Sequence, residues 1–122
     1  MADADVTVGQ LRDRVRAFLR ARECERYHNP KDLAMALSIE SAELLEEFLW
    51  LAPTDPAALA DDRREAIEDE LADVVIYALH FADAMGTDLS DAVLRKVRKN
   101  EARFPAGPDR GLPRKAARAG PR

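Results

Sequence analysis

A chain of 122 residues, 47% of them apolar, suits one domain with a modest core, because a domain this small keeps much of its surface in water. Its formal charge of −4 divides unevenly: residues 105–122 carry Arg110, Arg114, Lys115, Arg118 and Arg122 against Asp109, a balance of +4 that leaves −8 on the rest. An acidic body repels nucleic-acid backbones, so no nucleic acid duplex is expected as a partner, and a phosphate substrate must arrive with a cation. The single cysteine, Cys24, excludes an internal disulfide framework and fits a reducing compartment, with the cytoplasm as the expected location. Met1-Ala2-Asp3-Ala4-Asp5 lacks the basic segment and apolar run of a leader. No stretch approaches the roughly 20 apolar residues of a membrane span, so no membrane partner is expected.

In chain order, Thr7 is placed to cap a first helix whose apolar positions Val8, Leu11, Val15, Phe18 and Leu19 recur every three or four residues to about Arg22. That helix ends near Cys24. Asn29 as N-cap and Pro30 at the first helical position start a second helix, expected to run to about Leu51. Pro53 and Pro56 force a loop. From about Asp61 a third helix carries Ile67, Leu71, Val74, Ala78 and Met85 as its stripe and stops near Gly86, a natural C′ residue. Thr87 or Ser90 caps a fourth, with Leu89, Val93, Leu94 and Val97 leading to Phe104. The Pro- and Gly-rich basic segment 105–122 is expected to be disordered, leaving residues 1–104 as the helical domain. No strand alternation, fixed-period repeat or Gly-rich phosphate loop is present, so the class is all-α.

The carboxylates are the informative residues. At about 100° per residue Glu40 falls in line with the second helix's apolar stripe, Leu33, Leu37, Leu44, Phe48 and Leu51, and Glu43 and Glu47 lie beside it. Glu70 and Asp73, three apart on the third helix, sit at the edge of its stripe on the side of Tyr77. One such pair is an ordinary solvated face. Two pairs at core edges of consecutive helices raise each other's pKa values and favour a hard cation, Mg²⁺ or Mn²⁺.

The run His28-Asn29-Pro30-Lys31-Asp32-Leu33-Ala34-Met35-Ala36-Leu37-Ser38-Ile39-Glu40-Ser41-Ala42-Glu43, continuing to Trp50, resembles the MazG-like nucleotide pyrophosphohydrolases, in particular their short dCTP pyrophosphatase branch. Glu70-Leu71-Ala72-Asp73-Val74-Val75-Ile76-Tyr77, Asp88-Leu89 and Lys96 to Pro105 resemble the same family's later motifs, in the correct order over about residues 8–105. The resemblance implies a four-helix, oligomeric MazG-like bundle that cleaves a nucleoside triphosphate, such as dCTP or a modified pyrimidine dNTP, to the monophosphate and pyrophosphate. It implies that Glu40, Glu43, Glu70 and Asp73 bind Mg²⁺ and form the catalytic set, that Lys96 and Asn100 approach the triphosphate, and that Trp50 and Tyr77 contact the base. His28 and Lys31 are further substrate-binding candidates. It also implies a homo-oligomer, a tetramer built as a dimer of dimers. Cys24 stands where the branch usually has a tryptophan, Ile39 where classical MazG sequences have a glutamate and Asp32 where an asparagine is common, which leaves the preferred base open.

Two other readings compete. A ferritin-like di-metal protein needs Glu-x-x-His on two helices, and only Glu25 with His28 has that spacing. A non-enzymatic helical interaction module would use the acidic strip to meet a basic partner.

Overall fold

The computed structural model describes residues 1–24, 28–52 and 55–107. Regular structure among them is helical: α1 (Ala2–Asp5), α2 (Val8–Ala21), α3 (Pro30–Glu46), a 3₁₀ turn at Pro56–Ala58, α4 (Asp61–Ala84) and α5 (Leu89–Arg103). Four of these helices match the expectation from periodicity. The single turn α1 was not expected, having no apolar stripe to announce it.

Caps set the boundaries. Thr7 Oγ1 accepts from Gln10 N at 3.1 Å while Thr7 N donates to Gln10 Oε1 at 2.8 Å, a capping box that opens α2. Asn29 Oδ1 accepts from Asp32 N at 3.0 Å and opens α3, with Pro30 in its first turn. Both α2 and α4 end in paired bonds of the Schellman type: Cys24 N donates to Leu19 O and Glu23 N to Arg20 O, and Thr87 N donates to Ala82 O and Gly86 N to Asp83 O. The residue between must turn left-handed. Gly86 does so at φ 64°, whereas α2 places Glu23 there at φ 52°, where a side chain is strained.

The second helix is shorter than expected, ending at Glu46 instead of about Leu51. Phe48 N bonds Leu45 O, Leu49 N bonds Glu46 O and Leu51 N bonds Phe48 O, so the chain tightens into three-residue turns. Pro53 in the sequence has no N–H with which to continue an α ladder.

The chain divides into two compact units, Met1–Asp88 and Leu89–Arg122. In the first, α4 packs against both α3 and α2. Its core is small: Leu33, Leu79 and Ala82 are buried, with His80 among them at 7% exposure. Arg16 on α2 grips Asp83 on α4 through two hydrogen bonds, Nε to Oδ2 at 3.0 Å and Nη2 to Oδ1. The expected stripe of α4 needs correction, because Leu71 and Met85 are about half exposed. At 1.5 Å per residue, 24 residues span about 36 Å, against about 21 Å for α2 and 26 Å for α3, so part of α4 outruns its neighbours.

The second unit contains α5, whose Lys96 and Asn100 are exposed one turn apart. Most of the predicted tail, residues 108–122, lies outside the described residues. No helix among the described residues is long and apolar enough to cross a membrane.

Candidate metal centre and adjoining cavity

Glu40 and Glu43 are three apart on α3 and so project from the same side, and packing against α4 sets them opposite Glu70. One carboxylate oxygen from each of the three lies within 4.8 Å of the others. All three residues are half-buried. Oε2 of Glu40 and Oε2 of Glu70 are shut away from solvent with no hydrogen-bond partner. Burial pushes the Glu40 carboxyl up to about 7, helped by a hydrogen bond and repulsion from Glu43 and by the charges of Asp73 and Glu70. Glu70 is raised as well, first by burial, then by Glu43 and Asp73. Asp73 is therefore felt by the cluster, although it is not one of the three that converge.

Such a cluster lacks positive charge. A buried acceptor without a donor costs about 1–3 kcal/mol, more when it is ionised. A hard divalent cation takes oxygen ligands and reverses both penalties, so the residues fit a metal of that class. Glu47, the next carboxylate along α3, is instead committed to Arg63, whose Nη1 lies 3.0 Å from Oε2.

Beside the acidic cluster α2 and α4 enclose a cavity of about 740 Å³. Asp73 is part of its wall, with Ile76, Tyr77 and His80 following along α4 and Val15, Phe18, Leu19 and Arg22 facing from α2. Arg14, Ala17, Cys24 and His28 complete the wall. His80 packs edge-on against His28, ring centroids 5.1 Å apart, and against Tyr77 at 5.7 Å. Burial lowers the His80 pKa, and His28 lowers it further. His28 Nδ1 is buried without a partner.

The site residues expected from sequence thus separate. Glu40, Glu43 and Glu70 converge, Asp73 links them to the cavity, and Tyr77 and His28 line that cavity. Trp50 is 96% exposed and does not line it. Lys31 is exposed in the first turn of α3, and Lys96 and Asn100 belong to the other unit. Glu25, Arg26 and Tyr27 of the ferritin-like motif lie outside the described residues. Sequence reasoning missed the α2 wall. The signal was present in Phe18 and Arg22, four apart on one helical face: the Arg22 guanidinium carbon sits 3.8 Å from the Phe18 ring centroid.

Helices packed around a recessed acidic cluster, with a largely apolar cavity at its side, define an all-α protein whose clustered carboxylates fit a divalent cation. The MazG-like family model matches residues 35–117, and the chain belongs to that family, whose all-α fold it shares. It is 38% identical to mouse dCTP pyrophosphatase 1 over 96 residues, covering 77% of this chain and 56% of the mouse protein. It is 38% identical to the human dCTP pyrophosphatase 1 over 100 residues, covering 80% of this chain and 59% of the human one. The chain therefore spans less than two thirds of the length of these relatives. The crystal structure of a pyrophosphatase from Archaeoglobus fulgidus superposes with a TM-score of 0.71 at 42% identity, covering 80% of this chain and 91% of that one.

Proposed function

We propose that the chain is a nucleotide pyrophosphohydrolase that cleaves a (d)NTP to the monophosphate and pyrophosphate, with Mg²⁺ as cofactor and Mn²⁺ able to replace it. The observation that carries this reading is the convergence of Glu40, Glu43 and Glu70, with two buried oxygens that no protein donor satisfies, beside a cavity that shares Asp73. The printed names of the relatives, dCTP pyrophosphatase 1 and a pyrophosphatase, support the reaction.

Glu40, Glu43, Glu70 and Asp73 would hold the metal. When bound, it supplies neutralisation of the phosphate charge and polarisation of the phosphorus that water attacks. The half-buried setting of the carboxylates keeps their oxygens oriented and strengthens each interaction by excluding water. The cavity takes the base and sugar, with Tyr77 and His28 against them, Lys31 serves the phosphates, and the family resemblance adds Trp50 for the base and Lys96 and Asn100 for the triphosphate. Glu47 is paired with Arg63, and the base is left unassigned. Residues 1–104 act as the working domain and 105–122 as a basic tail. The chain functions in the cytoplasm as a homo-oligomer, a tetramer made of two dimers, which would cover the exposed apolar residues and Trp50.

An interaction module would keep its acidic groups solvated, whereas these have oxygens turned inward. The test is pyrophosphate release from a panel of dNTPs and NTPs with Mg²⁺ and with chelator. Release that requires the metal and falls more than about 100-fold in Glu40→Gln and Glu70→Gln is expected, since altering even an outer partner of a metal site costs 10–100-fold. No release from any triphosphate would sink the proposal.

A further inference from the structure

The geometry points to Arg22 as a specificity-determining residue that reads the base through two adjacent hydrogen-bond acceptors, favouring cytosine over uracil or thymine. This rests on the nucleotide reading above and goes beyond it by naming the base chemistry and the side chain that selects it.

Four observations carry it. First, Arg22 and Asp73 belong to the wall of the same cavity, so a ligand whose phosphates lie at the carboxylates and whose base enters the cavity can reach the guanidinium. Second, the guanidinium is held from two sides: its carbon lies 3.8 Å from the Phe18 ring centroid and its Nη1 donates to Phe18 O at 3.1 Å. Cation–π stacking and that hydrogen bond fix the plane of the fork before any ligand arrives. Third, the bond to Phe18 O is made by Nη1, on the other side of the guanidinium from the Nε–Nη2 edge that a planar ligand would meet. Arg14 also lines this wall. Fourth, the residue after Arg22, Glu23, is held at φ 52°, and strain of this kind is retained where the surroundings demand a particular chain direction.

A planar pair of donors matches a planar pair of acceptors. Arginine on guanine O6 and N7 is the familiar instance in nucleic acids. In a free nucleotide, cytosine offers O2 and N3 in the same way. Uracil and thymine interpose N3–H between their carbonyls and would point a donor at a donor. Adenine offers no adjacent pair of acceptors, since N1 and N7 each neighbour the amino group and N3 has no second acceptor beside it. A donor set against a donor leaves both without partners in the complex, which is what separates the two pyrimidines.

The experiment measures kcat/KM for dCTP and dUTP in the wild type and in Arg22→Lys, Arg22→Met and Phe18→Leu. The two substrates have nearly the same volume and differ in hydrogen-bond pattern, and their ratio within one variant is independent of the fraction folded. The wild type is expected to prefer dCTP. Both Arg22 variants should lower the dCTP:dUTP ratio by roughly tenfold or more, the worth of one bidentate contact, with Phe18→Leu in between because the fork loses its platform. A wild type indifferent between the two bases overturns the inference, as do Arg22 variants in which both substrates slow by the same factor, the mark of a phosphate contact. Absence of wild-type turnover with every triphosphate is a separate result that removes the parent reading and this one with it.

Discussion

Glu40 carries opposed demands, since its place in the apolar stripe of α3 buries it while its neighbours Glu43, Glu70 and Asp73 repel its charge. In the unfolded chain its carboxyl would titrate near 4.5, and in the folded, metal-free protein near 7. A carboxyl raised in this way imposes no penalty below its unfolded pKa. Between about 4.5 and 7 the folded state must give up a proton it holds more tightly than the unfolded state does, so stability falls as pH rises across that window. Metal-free protein should therefore melt lower at pH 8 than at pH 5.5 through this group, and Glu40→Gln should flatten the dependence. The gain at pH 8 should be on the order of 1 kcal/mol, or about 4–8 °C for a small domain. Thermal melts at the two pH values, with and without Mg²⁺, check this. If Glu40→Gln melts below wild type at pH 8 without metal, the electrostatic account fails. The carboxylates were legible in sequence because periodicity alone places them at core edges. The end of the second helix was less legible, because its apolar periodicity carries past Glu46, where the helix stops, so Trp50 lies beyond it.

At the scale of elements, α4 is the shared partner of α2 and α3, and its link to α2 centres on Arg16 with Asp83. The Arg16 guanidinium, first by hydrogen bonding and then by its charge, holds the Asp83 carboxyl below the usual carboxylate range, and burial only partly opposes it. A depressed carboxylate contributes stability above its unfolded pKa and loses it as pH falls through the folded value. Asp83→Asn should thus cost about 1.5–2 kcal/mol at pH 7, the low end of the range for hydrogen bonds to charged groups, and much less near pH 3. Urea denaturation midpoints at both pH values would show it, and an equal loss at both would mean that packing, not charge, is what the substitution disturbs. The helices themselves were readable from Thr7, Asn29 and Gly86, each a residue whose local chemistry closes or opens a helix. The α2–α4 pairing was not, because residues 16 and 83 are brought together only by folding, and nothing local in either segment reports the other.

At the scale of the whole molecule, the small core contrasts with the apolar surface. Met35 and Ile39 on α3 and Leu71 and Val75 on α4 lie one turn apart in each pair and are each about half exposed or more, and His80 takes part in a core that otherwise holds few large side chains. Association of copies would bury such surface. Light scattering should give a mass above that of one chain, and Val75→Lys should lower it, because a charged head buried between copies is costly unless paired. A wild type that stays monomeric at high concentration would contradict the proposed assembly. The chain also carries its own optical gauge. Trp50 is the sole indole in the sequence and meets water over nearly all its surface in the single chain. Its emission therefore comes from one known position, next to the turn that ends α3. A second copy or a ligand that covers it will shift that emission to shorter wavelength without any label, so dilution and titration can be followed with the unmodified protein.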